Sequence, residues 1–518
     1  MDRYIRKILE ANVYEVAEQS PLELAPIIST RLNRRILLKR EDLQPIFSFK
    51  VRGAFNKIRK LVTEPDHIGV ITASAGNHAQ GVALAAAKLG SKAVIVMGKN
   101  TPGIKVDAVN ALGAKVILTG ESYDEAAEVA RLMSREQGYT YVHPFDDEDV
   151  IAGQGTIGME IMRQCREPID AIFVPVGGGG LIAGIAAYVK YLRPAIRIIG
   201  VEAQGSACMT AALKAGKRVS LKKEELDQFA DGTAVRQVGK HGFEIARQCI
   251  DQMITVTVDQ ICAAIKDIFE DTRVVTEPAG ALALAGVKHY LEQSTAPSSA
   301  ASLVAVVSGA NVNFDRLRHI SERSEAGEKR EMLLGVTIPE QPGSFQRFCK
   351  LLGKQHVTEF NYRYRDKEHA RLLVGIQSAG RSDQNARLKE KITRHYPVVD
   401  LSSNEVAALH VRHMGGGPVE GLANERLYRF EFPERPGALL KFLTVLGRQY
   451  NITLFHYRNH GAAFGRVFIG IQVPNGAVSR FRADLRSIGY RYWEETGNPA
   501  CELFLKNSPD TKRLMLRD

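Results

Sequence analysis

Short apolar, β-branched runs alternate with longer helical patterns between about residues 37 and 307. Strands that are apolar on both faces and separated by helices are typical of a mainly parallel sheet covered by helices on both sides. One group of runs ends before about residue 141 and a second begins after about residue 171. This α/β pattern predicts two lobes with a ligand cleft between them. The runs include residues 69–72, 93–96, 115–118, 172–176, 198–201 and 303–307.

The pattern changes after residue 320, where a charged stretch at 321–331 predicts an interdomain linker. Beyond it, residues 335–345 return as 429–439, and residues 357–363 return as 452–458. Each copy has the pattern of a ferredoxin-like βαββαβ unit. We therefore predict a large α/β domain at 1–320, which is big enough to be an enzyme on its own and has a small lobe at about 45–145. Tandem ferredoxin-like modules at 332–412 and 426–508 follow it.

Composition and charge narrow the class of protein. Among 518 residues, 45% are hydrophobic and 25% are charged, as in ordinary globular proteins. The first residues lack the apolar core of a signal peptide, and no apolar run is long enough to span a membrane, so we expect a cytoplasmic protein with no membrane partner. The net charge of +11 is dispersed among acids without a nucleic-acid motif, so no nucleic acid is expected. The six cysteines lack metal-ligand spacing, so no metal is expected.

A glycine loop is the strongest local signal. Gly177–Gly180 follow an apolar strand and precede a helical pattern that begins near Ile182. Such a turn directs backbone N–H groups and the positive end of a helix at an anion, so it predicts a phosphate site. A dinucleotide is one alternative, because Glu202 ends the next strand, but Ile182 stands where that fingerprint needs a third glycine. A turn without a ligand is disfavoured by the entropy cost of four glycines.

Three further positions carry candidate chemistry. In the polar loop at 72–81, the Ser74 hydroxyl and the Asn77 amide suit a carboxylate and a phenolic oxygen, although either could simply cap the next helix. Ser308 follows the last apolar run, at the sheet edge where ligands bind, and is either a turn residue or a partner for a ring nitrogen. Glu277 precedes a helix opened by proline, where an acid also responds to the helix dipole.

These motifs together resemble a known family. The segments Ser48-Phe49-Lys50, Ser74-Ala75-Gly76-Asn77-His78, Gly177 to Gly180 and Ser308 to Asn311, in this order, resemble those of the fold-type II pyridoxal-phosphate enzymes. With the C-terminal repeat, the whole chain is similar to the biosynthetic threonine dehydratases, in which two ACT-like regulatory modules follow the catalytic domain. The resemblance implies a catalytic domain like the tryptophan synthase β subunit and pyridoxal 5′-phosphate (PLP) as cofactor.

The same resemblance gives each motif a role. Lys50 would form the Schiff base with the cofactor and then act as the base for the substrate Cα proton. The remaining roles are as follows: Phe49 beside the cofactor, Asn77 at its 3′-oxygen, Gly177, Gly178, Gly179, Gly180 and Leu181 at its phosphate, Ser308 at its ring nitrogen, Glu277 near it, and Ser74, Ala75, Gly76, Asn77 and His78 at the substrate carboxylate.

The resemblance also implies a reaction and its control. We expect L-threonine to be converted to 2-oxobutanoate and ammonia, as the first step of isoleucine biosynthesis, and L-serine to pyruvate. A neutral Ser308 cannot hold the ring nitrogen protonated, which favours prompt elimination over transamination. The repeat is expected to bind isoleucine as an inhibitor and valine as an opposing effector, and the chain to form a homotetramer.

Three alternatives stay open at this point. The first is an unregulated dehydratase or racemase on the same scaffold, which the repeat disfavours. The second is a nicotinamide-dependent oxidoreductase built on the Gly177 loop and Glu202, which would bind no PLP. The third is a non-catalytic amino-acid sensor, in which replacement of Lys50 would have no consequence for activity.

Overall fold

The computed structural model divides the chain into two compact units, residues 1–327 and 328–518. The structure describes residues 2–99, 101–120, 123–222, 226–293, 301–314, 316–327, 331–341, 343–353, 355–363, 368–377, 382–402, 404, 407, 419, 422–433, 438–446, 449–458, 464–498, 501 and 505.

Unit 1 is built from ten strands and thirteen helices within its described residues. The strands are β1 (Leu22–Leu24), β2 (Ile36–Arg40), β3 (Val70–Ala73), β4 (Ala93–Met97), β5 (Lys115–Leu118), β6 (Thr140–Tyr141), β7 (Ile169–Pro175), β8 (Arg197–Ala203), β9 (Gln252–Val256) and β10 (Ser302–Val307). The helices are α1 (Asp2–Leu9), α2 (Pro26–Leu32), α3 (Lys50–Leu61), α4 (Asn77–Lys88), α5 (Gly103–Ala111), α6 (Tyr123–Gln137), α7 (Glu148–Gln164), α8 (Gly180–Leu192), α9 (Cys208–Ala215), α10 (Lys240–Cys249), α11 (Val258–Thr272), α12 (Pro278–Gln293) and α13 (Arg316–Gly327).

The strands of unit 1 form two sheets. A six-stranded sheet has the order β1-β2-β10-β7-β8-β9, and a four-stranded sheet has the order β5-β4-β3-β6. Strand β1 pairs antiparallel with β2, and the other pairs in both sheets are parallel. The two mainly parallel sheets confirm the predicted α/β class with two lobes.

Strand β7 shows why a strand inside this sheet has a continuously apolar sequence. Ile172 and Val174 pack into the core on one face, with residues of α7 and α8. Ala171 and Phe173 pack into the core on the opposite face, with residues of α11 and α12. Because successive side chains of a strand point to opposite faces, a strand covered on both sides must be apolar throughout. The loop that follows β7 is therefore held at the edge of a rigid sheet.

Four buried charges fasten helix α3 to the rest of unit 1. Arg52 donates to Glu41 Oε2 at 2.8 Å and to Glu160 Oε1 at 2.5 Å. Lys39 donates to Glu160 Oε2 at 2.6 Å. All four side chains are at most 1% exposed. Glu41 follows β2 and Glu160 lies on α7, so the cluster fixes the helix that begins with Lys50 against both elements.

The stretch 321–331, expected to be a linker, is helical as far as Gly327. Ile320 packs into the core beside α11, and Ser324, one helical turn later, is also buried. A charged sequence can form such a helix when one face of it is covered. Residues 328–330 of the expected linker lie outside the described residues.

Unit 2 contains the two predicted copies. The first copy comprises β11 (Glu331–Pro339), α14 (Ser344–Leu352), β12 (Val357–Arg363), β13 (His369–Gln377), α15 (Ser382–Thr393) and β14 (Val398–Asp400). The second comprises β15 (Glu425–Pro433), α16 (Ala438–Leu446), β16 (Asn451–Arg458), β17 (Phe464–Gln472), α17 (Val478–Ile488) and β18 (Arg491–Glu494). Residues 408–418 and 506–518, at the ends of the predicted modules, lie outside the described residues.

Both copies have the βαββαβ order that the repeat predicted, and they share one sheet. Its order is β14-β11-β13-β12-β16-β17-β15-β18, so β12 of the first copy pairs with β16 of the second. This pairing is antiparallel and runs from Glu359 opposite Arg458 to Arg363 opposite Leu454. The ferredoxin-like prediction is confirmed, and the two copies form a single structural body.

Candidate active site

The loop before Lys50 is fastened to the end of strand β10. Ser48 forms an antiparallel bridge with Gly309, and Phe49 N donates to Ser308 O at 3.2 Å. Ala310 N donates to Phe47 O at 2.9 Å. These backbone bonds bring together Lys50, the first residue of α3, and Ser308, which lie far apart in the sequence. The sequence assigns both residues to one site.

Lys50 has an amine that loses its proton easily. Its Nζ donates to the carbonyl oxygen of Pro144 at 2.7 Å and lies 5.3 Å from the centre of the Phe49 ring. Burial lowers the pKa of Lys50 from its usual 10.5 to about 8, although the nearby Glu277 acts in the opposite direction. A neutral amine is the form that attacks a carbonyl carbon, so this environment prepares Lys50 for that chemistry.

The loop after β7 has no room for side chains. A Cβ atom at Gly178 would lie 2.2 Å from the ring of Phe145, and one at Gly180 would lie 2.7 Å from the Phe145 carbonyl oxygen. Gly179 has a φ of 94°, which is the left-handed region that favours glycine. Gly180 begins α8, so the free N–H groups of the first turn lie at this loop. A backbone cradle at a helix N-terminus fits a phosphate group.

Asn77 does not cap the helix that it begins. The N-cap residue of α4 is Gly76, which makes no side-chain cap. The Asn77 Nδ2 instead donates to Glu277 Oε1 at 2.7 Å, and its Oδ1 accepts from Asn311 Nδ2 at 2.7 Å. Ser74 Oγ accepts from Gly76 N at 3.2 Å, within the loop. The Asn77 amide is thus held between polar groups from two distant segments.

Glu277 and Ser308 complete the polar side of the cluster. Burial, with a further contribution from Asp231, raises the pKa of Glu277 to about 8. The Ser308 hydroxyl is buried and donates to Ala279 O at 3.3 Å. The Ser48 hydroxyl is buried and has no hydrogen-bond partner among the described residues. A buried donor without a partner beside Lys50 is consistent with a polar ligand at this place.

His78 and His143 are both neutral. The ring Nε2 of His78 donates to Val142 O at 3.0 Å, and burial lowers its pKa to about 3. Burial likewise lowers the pKa of His143 to about 4. The His78 ring is therefore bonded to Val142, the residue after β6, while its backbone remains at the start of α4. The geometry gives this ring no charge with which to bind a carboxylate.

The segment 143–147 was missed in the sequence. Pro144 accepts from Lys50, Phe145 lies against the glycine loop, and Asp146 accepts from Lys240 N and His241 N at 2.8 and 2.9 Å, at the start of α10. The segment therefore links the catalytic lysine to the glycine loop. Its only sequence signal was a polar, aromatic stretch between a strand and the capped helix α7.

Glu202 is occupied with a structural role. Its carboxylate accepts from Met209 N at 2.7 Å and from Thr210 N and Oγ1 at 2.9 and 2.6 Å, and so caps α9. It is fully buried. A buried carboxylate that caps a helix with both oxygens is not presented to a ribose, which removes the acid on which the dinucleotide alternative depended.

The residues present fit PLP as the cofactor. The cluster supplies an easily deprotonated amine, a backbone cradle for phosphate, an amide for a phenolic oxygen and a hydroxyl for a ring nitrogen. Among the described residues, no group of three or more His, Cys, Asp or Glu side chains is placed to hold a metal ion. No helix in the described part of the chain is long and apolar enough to cross a membrane.

Comparison with known proteins also indicates a PLP-dependent enzyme. The pyridoxal-phosphate dependent enzyme family matches residues 13–309, and the C-terminal regulatory domain of threonine dehydratase matches residues 322–411 and 417–505. The chain is 52% identical to the L-threonine dehydratase biosynthetic IlvA of Burkholderia multivorans, over 97% of this chain and 99% of the relative. It is 50% identical to the corresponding protein of Escherichia coli K12, over 97% of each.

Solved structures of related enzymes match about three fifths of the chain. The processed form of threonine deaminase isoform 2 from Solanum lycopersicum is 49% identical, with a TM-score of 0.60, over 62% of this chain and 93% of that one. The maize serine racemase is 33% identical, with a TM-score of 0.56, over 61% of this chain and 95% of that one. The family model covers more than half of the chain, and close relatives match it almost throughout. The chain therefore belongs to the pyridoxal-phosphate dependent enzymes, among the biosynthetic threonine dehydratases with a C-terminal regulatory domain.

Proposed function

We propose that this chain converts L-threonine to 2-oxobutanoate and ammonia as the first step of isoleucine biosynthesis. The observation that carries the proposal is the position of Lys50. Its amine has a pKa lowered to about 8, and the backbone just before it is bonded to Ser308 at the end of β10. The near full-length identity to biosynthetic threonine dehydratases supports this choice of substrate.

We propose for the site residues the same roles that the sequence predicts. Lys50 would carry PLP covalently, the N–H groups of Gly177–Gly180 and Leu181 would hold its phosphate, and Asn77 would bind its 3′-oxygen. Ser308 would donate to the ring nitrogen, with Phe49 and Glu277 near the cofactor. When bound, PLP withdraws electrons from the substrate Cα and so assists loss of the β-hydroxyl.

The chain's own groups would then act on the substrate. The neutral Lys50 amine would accept the Cα proton. The loop from Ser74 to His78 would bind the substrate carboxylate through backbone N–H groups, because these lie at the positive end of α4. The Ser308 hydroxyl would donate a hydrogen bond to the ring nitrogen of PLP without giving up its proton. An unprotonated ring favours elimination over transamination. L-Serine offers the same groups, so we propose it as a second substrate that yields pyruvate.

Control is proposed to reside in unit 2. Its match to the regulatory domain of threonine dehydratase supports effector binding, and we propose isoleucine as the inhibitor with valine opposing it. The match also supports the predicted modules at 332–412 and 426–508. We further propose a homotetramer that acts in the cytoplasm, although relatives from Arabidopsis thaliana and Saccharomyces cerevisiae are named chloroplastic and mitochondrial.

One experiment tests the proposal. The purified full-length chain is incubated with PLP, its visible absorption is recorded, and 2-oxobutanoate release from L-threonine is measured with and without isoleucine. Lys50→Ala should abolish both the visible band and the activity. Lys60→Ala is the matched control, because it lies on the same helix and is 39% exposed in an ion pair with Asp149. A colourless wild-type chain that is inactive with added PLP would refute the proposal.

A further inference from the structure

The amide of Asn77 lies between two side chains that determine which way it faces. Asn311 Nδ2 is 2.7 Å from Asn77 Oδ1, and Glu277 Oε1 is 2.7 Å from Asn77 Nδ2. Asn311 is separated from Asn77 by 234 positions and Glu277 by 200. An asparagine amide can rotate by half a turn and exchange its oxygen with its nitrogen, so its orientation depends on such partners.

The orientation of Asn311 is itself fixed by the main chain. Asn311 Nδ2 donates to the carbonyl oxygen of Ile46 at 2.8 Å as well as to Asn77 Oδ1. These two bonds use both N–H groups of the Asn311 amide. A backbone carbonyl can only accept, so Asn311 cannot turn its oxygen toward Ile46. It must therefore present a donor to Asn77, and Asn77 must present its oxygen in return.

The far side of Asn77 then carries its two N–H groups. One of them is bound to Glu277 Oε1, and it is the only hydrogen bond that Asn77 Nδ2 makes within the described residues. The other N–H remains available. In the reversed orientation, Asn77 Nδ2 would face the Asn311 donor, and Asn77 Oδ1 would face the Glu277 acceptor. The bond to Asn311 would be lost whatever the charge of Glu277, whose raised pKa of about 8 lets it carry a donor proton, so the contact with Asn311 is the one that fixes the observed orientation.

We propose that Asn311 is a positioning residue for the cofactor: by donating to Asn77 Oδ1 it keeps an Asn77 N–H directed at the 3′-oxygen of bound PLP. The inference rests on the proposed function, since it requires PLP at this site. It adds a residue that does not touch the cofactor. Ile46, Asn311, Asn77 and Glu277 form one chain of hydrogen bonds, anchored at one end by a backbone carbonyl.

Three variants separate positioning from folding. Asn311→Asp places an acceptor opposite Asn77 and favours the reversed amide, whereas Asn311→Leu removes the restraint without imposing the reverse. In the double variant Asn311→Asp with Glu277→Gln, the glutamine amide can donate to the reversed Asn77, so both hydrogen bonds of the Asn77 amide are satisfied again, while the Ile46 carbonyl oxygen still lacks its donor. Asn313→Asp is the matched control, because Asn313 lies two residues away, is half-buried, and makes no described hydrogen bond to Asn77.

Two measurements on the full-length chain read the result. The first is the affinity of the cofactor-free protein for PLP, from titration of the visible band. The second is the proportion of bound PLP that absorbs in the near ultraviolet, the form with a neutral 3′-hydroxyl. We expect Asn311→Asp to weaken PLP binding roughly 10- to 100-fold and to raise the near-ultraviolet proportion. Asn311→Leu should show a smaller change, and Asn313→Asp none.

The double variant decides between the two roles. It should recover part of the thermal stability lost in Asn311→Asp while PLP affinity stays low, because the Asn77 amide is satisfied in the wrong orientation and only the bond to Ile46 stays broken. Recovery of both properties would show that Asn311 only supports the fold, and would overturn the inference. So would an Asn311→Asp protein with unchanged affinity and spectrum. A wild-type chain without a visible band would overturn the proposed function, and this inference with it.

Discussion

Arg52, two residues after Lys50, offers a sharp test of what holds the site together. Its guanidinium donates to both oxygens of Glu41 at 2.8 and 2.9 Å and to both oxygens of Glu160 at 2.5 and 3.1 Å. Burial alone would lower the pKa of Arg52, but the two carboxylates outweigh it and raise that pKa. Arg52→Met keeps most of the side-chain volume and removes every one of these bonds.

The expected loss is large because the two carboxylates stay buried. Glu160 would keep Lys39 at 2.6 Å, whereas Glu41 would keep only the hydroxyl of Ser20 at 2.5 Å. Removal of one partner from a buried ion pair costs about 3–5 kcal/mol, since an uncompensated charge remains in the interior. We therefore expect Arg52→Met to lower the free energy of unfolding of unit 1 by about 3–5 kcal/mol.

The assay can follow each unit by its own signal. The single tryptophan of the sequence, Trp493, lies on β18, so its fluorescence reports unit 2. Far-ultraviolet circular dichroism reports both units. In urea, we expect the transition seen only by circular dichroism to shift in Arg52→Met. The fluorescence transition should stay in place, which separates the effect from general destabilisation of the chain.

Arg59→Met is the matched control on the same helix. Arg59 pairs with Glu15 at 3.0 Å, and the two side chains are 41% and 49% exposed. An exposed pair of this kind contributes at most about 1 kcal/mol. If Arg52→Met shifted the unit 1 transition no more than Arg59→Met does, the buried cluster would not hold α3 in place and the reasoning would be wrong.

Three further predictions concern single side chains. Gly178→Ala should abolish PLP binding, because the new Cβ meets the Phe145 ring at 2.2 Å, whereas Gly103→Ala, with open space around it, should leave binding unchanged in the same titration. The pKa of Glu277 is raised from 4.5 to about 8, so the folded chain binds a proton that the unfolded chain releases between those values, and stability in urea should fall as pH rises through this window. Glu277→Gln should flatten that fall. Glu202→Gln should cost about 1–2 kcal/mol in unfolding experiments, through loss of helix caps, and leave PLP affinity unaltered.

Most strands that the sequence predicted have a uniform environment along their length, whereas β5, predicted at 115–118 and found there, is an edge strand with exposed ends, which its apolar centre reveals. Strands β3, β4, β7 and β10 are buried at nearly every position, so each one appears as an apolar run. Strand β6 has only two half-buried residues, and β9 lies at a sheet edge with alternating exposed and buried positions. An edge strand is covered on fewer sides, and its residues therefore carry a weaker hydrophobic signal.

Some residues of the candidate site could be predicted from the sequence, and others could not. The glycine loop was visible because its backbone excludes every Cβ, and Lys50 was visible through its motif. The segment at 143–147 was not visible, because its role depends on a bond from Lys50 to Pro144, 94 positions away. The contact between Asn311 and Asn77 spans 234 positions, and no local pattern encodes it. Such partners become apparent only when the fold brings their segments together.

The shared sheet of unit 2 changes how its repeat can work as a regulator. The ring centres of Phe345 and Phe360, in the first copy, lie 6.3 and 5.6 Å from the ring centre of Phe455 in the second. Residues of both copies form one hydrophobic core. The two copies are joined by the pairing of β12 with β16 and by side-chain packing, so neither of these strands can move without disturbing the other copy. A ligand shifts a conformational equilibrium only through its different affinity for the two states. An effector bound to either copy would therefore act on one common equilibrium, and the two opposing effectors that we propose would need no separate route to oppose each other.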